Sequence, residues 1–167
     1  SDALGGIVCT DKVLAEKIFH FREINGACLD PHPAYLINRG VKTLGIRIER
    51  HNENALNLSK WLLSHEKVDK VFYPGLPNHS EYDIASTQMK GFGGVLSFSI
   101  NSYEKVGDFL SSLHLAHSAA HLGSIDTIVG PPRTTSHVEN TFEERQSLGI
   151  PENLIRCSVG IEDINDI

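Results

Sequence analysis

The sequence predicts an α+β fold in which a small, mostly antiparallel sheet carries helices on one face. The first observation is that short apolar runs alternate with segments of helical periodicity along the 167 residues. The second is that four of these runs follow residue 66 and are separated by helix and turn signals. No internal repeat is visible, so a repeat architecture is not indicated.

The N-terminal elements are predicted from a cap and from an apolar run. Thr10 or Asp11 can accept the first unpaired backbone N–H groups of a helix that runs to about Asn25. Before this helix, the apolar residues 4–9 are typical of a buried strand.

The later elements follow in order from periodicity and from breaker residues. Residues 34–65 contain no proline and carry apolar side chains at helical spacing, which predicts a long helix with a break near Gly40. After it, turn residues such as Pro74-Gly75 separate shorter elements. The predicted strands are 68–73, 95–100, 117–122 and 154–159, and the predicted helices are 81–89, 102–113 and a short one that the capping box at 141–144 begins.

Composition argues against two classes of partner. The net charge of −6 comes from interspersed acids and bases without a basic stripe, which argues against nucleic acid and an anionic membrane surface. No apolar run approaches the ~20 residues of a membrane span. Cys9, Cys28 and Cys157 are far apart and odd in number, and we expect core residues of a reduced, cytoplasmic protein rather than a disulfide framework.

Arg156 is the best candidate for a ligand contact. With a period of 2, it shares one face of the last strand with Leu154 and Ser158, while Ile155 and Cys157 share the other. A guanidinium among apolar neighbours requires an anion, and its planar fork suits a carboxylate in two-point contact. Two interpretations stay open on these residues alone: a clamp for a carboxylate ligand, or a structural ion pair. The acids that could form such a pair are Glu162, Asp163 and Asp166.

Other candidate constellations are weaker. His114, His117 and His121 would share a face only if their segment were helical, so we do not expect a metal site. The glycine-rich residues 91–94 precede a strand and fit a tight turn better than a phosphate loop. Pro131-Pro132 predicts a rigid loop that could present residues 134–137 to a ligand.

A series of motifs runs in one order along nearly the whole chain. The motifs are LGGIVC (4–9), DPHPAYL (30–36), RGVKTL (39–44), RH (50–51), NA (54–55), YPG (73–75), GFGGVLSF (91–98), LG (122–123), SH (136–137), EER (143–145) and LIRCSVGIED (154–163). In this order they resemble the C-terminal part of the pyridoxal-phosphate (PLP) enzymes of cysteine and methionine metabolism. That family includes cystathionine gamma-synthase, cystathionine beta- and gamma-lyases, methionine gamma-lyase and the O-acylhomoserine sulfhydrylases.

The resemblance implies a domain organisation and a cofactor. Residues 1–50 would be the end of the α/β PLP-binding domain of a fold-type I enzyme, and residues 51–167 its α+β C-terminal substrate-capping domain. Both ends of the chain look cut, so we expect a piece of a longer polypeptide. The family attaches PLP to a lysine in a Ser-Ala-Thr-Lys context shortly upstream, and no lysine here has that context. Neither catalytic nor cofactor-binding residues are therefore expected in this chain.

The resemblance also implies substrate-binding residues. Arg156 falls on the arginine that binds the α-carboxylate of the amino-acid substrate. His121 and Leu122 fall on a Ser-Leu-Gly run whose serine helps to hold that carboxylate, so a hydroxyl is replaced by an imidazole. Ala120 falls on a position that tunes substrate choice, and Ser136 replaces a usual threonine beside the pocket.

The implied activity belongs to the whole enzyme. It is β- or γ-elimination or γ-replacement on cystathionine, methionine or O-acylhomoserine-type substrates, in a homo-oligomer that is usually a tetramer. The partners would be the small amino-acid substrate and the N-terminal part of the same enzyme. The alternative is a non-catalytic fragment or a degenerate paralogue that serves as a binding or assembly module, and His121 in place of serine favours it.

Overall fold

The structure is a computed structural model that describes residues 2–167, in two compact units. The first unit ends at Gly45, and the second is Ile46–Ile167. The first holds α1 (Lys12–Asn25) and α2 (Pro31–Val41). Asp11 caps α1 by accepting a hydrogen bond from the Leu14 N–H at 3.0 Å, which confirms the predicted start of this helix.

The predicted strand at residues 4–9 is wrong. Leu4 is 88% exposed and Ile7 87% exposed, and the segment has no regular secondary structure. A strand needs a neighbour that pairs with its backbone, and none of residues 2–167 pairs with this segment. Cys9 and Cys28 are likewise exposed, so of the three cysteines only Cys157 is the core residue that we expected.

The long predicted helix is divided in two. A two-residue turn, Lys42 and Thr43, separates α2 from α3 (Leu44–Ser64). The break therefore lies just beyond Gly40, where it was predicted. Within the second unit, α3 binds the backbone that follows the last strand: His51 Nδ1 donates to the Val159 carbonyl at 2.6 Å, and Asn54 Nδ2 donates to Gly160 and Glu162 carbonyls at 3.1 and 2.8 Å.

The remaining elements form one sheet with short helices. The helices are α4 (Tyr82–Gln88), α5 (Val106–Ser111) and α6 (Phe142–Ser147). The strands are β1 (Val68–Phe72), β2 (Val95–Ile100), β3 (His117–Ser118), β4 (Ile128–Gly130) and β5 (Leu154–Ser158). Within the described chain their order in the sheet is β1-β2-β5-β4-β3; β3 and β4 pair in parallel and the other pairs are antiparallel.

Helices α3 and α5 cover one face of this sheet, as predicted. Buried side chains from both helices pack with alternate residues of β2 and β5; they include Ala55, Leu62, Val106, Leu96, Phe98, Ile155 and Cys157. Because side chains alternate across a strand, the other face of β5 carries Leu154, Arg156 and Ser158. In residues 2–167, no helix is both long and apolar enough to cross a membrane.

The glycine-rich turn before β2 lies against α3. Gly93 has φ +83°, which few side chains tolerate, and its N–H donates to Asn52 Oδ1 at 2.8 Å. A Cβ on Gly94 would lie 3.1 Å from the His51 Cβ and 3.3 Å from the Val159 carbonyl oxygen. These glycines thus serve a tight turn, as predicted, and let β2 approach the end of β5.

Candidate functional site

Arg156 occupies the middle of the central strand β5. Its partners in the neighbouring strands are Ser97 of β2 and Gly130 of β4. Both residues are small, so the two positions directly paired with Arg156 place no large side chain beside it. The predicted alternation is confirmed, because Ile155 and Cys157 lie in the core while Arg156 lies half-buried on the opposite face.

The guanidinium has few partners within the chain. Its Nη2 donates one long hydrogen bond to the His121 carbonyl at 3.4 Å. In residues 2–167, no carboxylate lies within 4.0 Å of it. An arginine has five N–H donors, so most of its hydrogen-bonding capacity remains available to an anion.

Of the three acids proposed as structural partners, Glu162 and Asp163 have other contacts, and Asp166 forms no ion pair within residues 2–167. Glu162 accepts hydrogen bonds from the N–H and hydroxyl of Thr127 at 2.5 and 2.9 Å. Asp163 accepts from the backbone and side-chain nitrogens of Asn165, both at 2.9 Å, and these hydrogen bonds lower the pKa of its carboxyl. An ion pair between Arg156 and the acids that follow it is therefore not the arrangement of the described chain.

Residues 119–127, which we call the site loop, run past Arg156. The loop is closed at its base by two hydrogen bonds: His117 N–H to the Thr127 carbonyl at 2.9 Å, and Ala119 N–H to the Val129 carbonyl at 3.2 Å. The predicted strand at 117–122 therefore stops at Ser118. Beyond it the backbone leaves the sheet toward Gly123, whose φ of +77° marks a sharp turn.

The site loop contains three of the predicted site residues. His121 is half-buried, with its carbonyl toward Arg156, whereas Ala120 and Leu122 are exposed, Leu122 by 54%. Ser158, two residues beyond Arg156 on the same face, accepts a hydrogen bond from the Gly123 N–H at 3.0 Å. Arg156 and Ser158 thus contact the loop at two adjacent points.

Ser136 lies on the segment that follows β4 and is exposed. Its hydroxyl is 2.9 Å from His137 Nδ1, and in residues 2–167 it makes no hydrogen bond to Arg156 or to the site loop. The two segments do meet at Gly130, beside Arg156. A Cβ there would lie 2.9 Å from Thr135 Cγ2 and 3.1 Å from the Ala119 carbonyl oxygen.

The structure adds residues that the sequence analysis missed. β4 was not predicted, because three residues give too short a pattern to recognise. Ser158 could have been found, since it shares a strand face with Arg156. Glu162 was considered only as an ion-pair partner of Arg156, and its contact with Thr127 gave no local signal, because the two residues are 35 positions apart. The three histidines of the rejected metal hypothesis form no metal-binding group, and neither do any other ligand-type residues in the described chain.

The lysines bear on how a PLP cofactor could be held. All eight are exposed: Lys12, Lys17, Lys42, Lys60, Lys67, Lys70, Lys90 and Lys105. A lysine that forms a Schiff base is normally activated by burial or by a neighbouring cation in a closed site. The residues present therefore fit the recognition of a substrate carboxylate but not the covalent attachment of PLP.

Comparison with known proteins gives consistent matches over this chain. The family model "Cys/Met metabolism PLP-dependent enzyme" matches residues 1–167. Cystathionine gamma-lyase of Bacillus subtilis is 40% identical over 168 residues, which cover 100% of this chain and 44% of that protein. The chloroplastic cystathionine gamma-synthase 1 of Arabidopsis thaliana is also 40% identical over 168 residues, covering 100% of this chain but 30% of its own length.

A solved structure agrees. The cystathionine gamma synthase of Xanthomonas oryzae pv. oryzae, in complex with aminoacrylate and cysteine, superposes with a TM-score of 0.89 at 32% identity, covering 95% of this chain and 41% of the other. The chain thus spans less than half the length of these relatives. The cofactor of the family is pyridoxal phosphate. The match over the full length of the sequence shows that this chain belongs to the family of PLP-dependent enzymes of cysteine and methionine metabolism.

Proposed function

We propose that this chain is the C-terminal part of a PLP-dependent enzyme that cleaves or forms C–S bonds. The whole enzyme would perform β- or γ-elimination or γ-replacement on cystathionine, methionine or O-acylhomoserine-type substrates. Residues 1–50 would end its cofactor-binding domain, and residues 51–167 would form its substrate-capping domain. The task of this part is to bind the α-carboxylate of the substrate.

One observation carries the carboxylate site. Arg156 is a half-buried cation whose single hydrogen bond in the described chain is long, 3.4 Å to the His121 carbonyl. A cation in such a position is poorly solvated, and a bound anion would replace the hydrogen bonds and charge stabilisation that water otherwise provides. The fork of the guanidinium matches the two oxygens of a carboxylate, which would accept parallel hydrogen bonds.

The neighbouring residues would define the rest of the pocket. His121 lacks the hydroxyl of the serine it replaces, but its imidazole favours an anion when protonated. Ala120 offers only a methyl group, so it neither pairs with a charge at the far end of the substrate nor strongly excludes one. Ser136 keeps a hydroxyl that can contact a polar group of the ligand.

Bound PLP supplies the electron sink for chemistry at the substrate Cα. This chain supplies orientation, because holding the carboxylate fixes which Cα bond is aligned for reaction. The lysine that attaches PLP lies outside these residues in our proposal, which the exposure of all eight lysines supports. The family resemblance is the support for a cytoplasmic homotetramer.

The test uses the full-length protein that contains this segment, purified with PLP and then freed of excess cofactor. We expect an absorption band at about 420 nm from the bound cofactor. We also expect the protein to release a thiol from L-cystathionine or L-methionine. A colourless protein that releases no thiol would contradict the proposal. It would favour instead a binding or assembly module, for which the replacement of serine by His121 is the motivating observation.

A further inference from the structure

The site loop is hydrogen-bonded at three points to the segment that follows Arg156. Near its tip, the Gly123 N–H donates to Ser158 Oγ at 3.0 Å. In its middle, the Ile125 carbonyl accepts from the Ile161 N–H at 2.8 Å. At its base, Thr127 is bound by the Glu162 side chain. The first two contacts use a small hydroxyl and the backbone, whereas the third uses a carboxylate.

The contact between Glu162 and Thr127 is bidentate. Oε1 accepts from the Thr127 N–H at 2.5 Å, and Oε2 accepts from the Thr127 hydroxyl at 2.9 Å. The same hydroxyl oxygen accepts from the Gly160 N–H at 2.9 Å, and Thr127 is 1% exposed. Both donors of a buried residue thus depend on one side chain, and losing it would leave them unsatisfied.

Glu162 is itself fixed in place. Its backbone carbonyl accepts from Asn54 Nδ2 of α3 at 2.8 Å. The lack of a side chain at Gly160 is what lets the carboxylate approach, since a Cβ there would collide with Glu162 Oε2 and with the Ile125 carbonyl oxygen. No cation lies within 4.0 Å of this carboxylate in the described chain. Desolvating a carboxylate without a counter-ion is costly, and the hydrogen bonds from Thr127 offset that cost for Glu162.

We propose that Glu162 is a positioning residue for the carboxylate site. By holding Thr127, it fixes the position of the site loop relative to Arg156. The position of residues 120–122, including the His121 carbonyl, is fixed with it. This rests on the proposed function, in which Arg156 binds the substrate carboxylate. Glu162 touches neither substrate nor cofactor and acts through the loop.

The test compares variants of the full-length protein. Glu162→Ala removes both acceptors, and Glu162→Gln keeps one oxygen for the Thr127 N–H. Asp163→Ala is the matched control, because it is the adjacent acid but its side chain is exposed and contacts Asn165 rather than the loop. If Glu162→Ala does not fold, Thr127→Val removes the hydroxyl from the same contact while preserving its shape.

Two measurements separate positioning from mere stability. Hydrogen exchange reports whether the amides of residues 119–127 open faster. Titration calorimetry gives the affinity for L-serine and for ethanolamine, which has the same amine and hydroxyl without the carboxylate. We expect Glu162→Ala to speed exchange in the loop and to weaken L-serine about 10-fold while ethanolamine changes less than about twofold, as for loss of part of a polar contact. Glu162→Gln should retain most of the affinity, and Asp163→Ala all of it.

The outcomes are distinguishable. Faster exchange with an unchanged ratio of the two affinities would show that Glu162 is only structural, and unchanged exchange would show that it does not hold the loop; either result overturns the inference. The proposed function fails separately, if Arg156→Ala leaves the preference for L-serine over ethanolamine intact. In that case the hydrogen-exchange data still show whether Glu162 holds the loop in place, but Glu162 has no carboxylate site to position.

Discussion

Two half-buried arginines in this protein differ in whether the described chain supplies a carboxylate for them. Arg145 on α6 donates through Nε to Glu152 Oε1 at 2.9 Å and also donates to the Asn140 carbonyl, and its side chain is only 12% exposed. Arg156 on β5 has one long contact to a carbonyl and no carboxylate within 4.0 Å in the described chain.

The difference lies in how the charge is neutralised. Glu152 pairs with Arg145 and also forms an ion pair with Arg133, whose Nη1 lies 3.6 Å from Glu152 Oε2. The Arg133 guanidinium lies 4.6 Å from the centre of the Tyr103 ring. Arg145 is therefore paired within the described chain, whereas the Nε of Arg133 is buried without a hydrogen-bond partner. Arg156 is equally suited to a carboxylate, but residues 2–167 supply none within 4.0 Å. A half-buried arginine without a carboxylate partner is therefore the better candidate for binding an anionic ligand.

The largest expected effect is on stability, from Arg145→Ala. The variant leaves Glu152, which is 20% exposed, with only the longer contact to Arg133. We expect the free energy of unfolding to fall by about 3–5 kcal/mol, as for one partner removed from a buried pair, with substrate affinity unchanged in the folded protein. Denaturant unfolding of the full-length protein measures this free energy.

Arg50→Ala is the control. Arg50 Nη1 lies 3.3 Å from Glu53 Oε2, and the two side chains are 50% and 61% exposed. The free energy of unfolding should therefore fall by less than about 1 kcal/mol. Equal losses of stability in the two variants would show that the Arg145–Glu152 pair stabilises the fold no more than an exposed pair does.

Arg156→Ala should show the reverse pattern. We expect amino-acid binding to weaken by about 2–4 kcal/mol, as for the loss of a charge that binds a desolvated partner, with little change in the free energy of unfolding. Arg156→Lys keeps the charge but not the fork, so its affinity should be intermediate. Titration with L-serine and denaturant unfolding measure both quantities. Unchanged affinity with lowered stability would make Arg156 a structural residue like Arg145.

The opposite face of β5 should respond to alkaline pH. Burial, and secondarily the charge of Glu162, raises the pKa of Cys157 from 9.0 to about 12. Below pH 9 the thiol is neutral in both states; above it the unfolded thiol ionises first, so the free energy of unfolding falls as pH rises toward 12. The loss should reach about 2 kcal/mol at a pH of about 10.5.

The control for this pH effect is Cys157→Ser, which does not titrate in this range. Burial also raises the pKa of Tyr73, from 10.0 to about 12, and this contribution persists in the variant. Denaturant unfolding between pH 8 and about 10.5 should therefore give a smaller decline for Cys157→Ser than for the parent protein. Equal declines would show that the thiol does not remain neutral in the folded state.

The smallest effect tests the helix that carries Arg145. Thr141 Oγ1 accepts from the Glu144 N–H at 3.2 Å while Glu144 accepts from the Thr141 N–H at 2.8 Å, so the predicted capping box is present. Thr141→Ala should lower the free energy of unfolding by about 1 kcal/mol without changing substrate affinity. Ser147→Ala, at the other end of α6, should change stability less. A loss of substrate affinity in Thr141→Ala would mean that the Arg145 region and the Arg156 site are coupled.

Much of the fold could be predicted because its signals are local. The cap at Asp11, the alternation along β2 and β5, and the capping box at Thr141 each depend on residues within one element. The failures involve distant partners. Residues 4–9 have a strand-like composition but no pairing neighbour in the described chain, and β4 is too short to recognise alone yet pairs with both β5 and β3.

The same division applies to the candidate site. Arg156 stood out because a charge interrupts an apolar strand, and its half-buried position on the face away from the core follows from the alternation. That it lacks an acid, while Arg145 has one, could not be predicted, because nearby acids were available in the sequence. The structure assigned those acids to Thr127 and Asn165 instead.

Short-range patterns and ordered motifs are enough to predict the types of element, the face of β5 on which Arg156 lies and membership of the PLP enzyme family. Which distant groups meet depends on the folded chain. His121 lies 35 positions before Arg156, and Thr127 lies 35 positions before Glu162. Hydrogen bonds act over about 3 Å, so such contacts exist only once the strands have brought distant segments together.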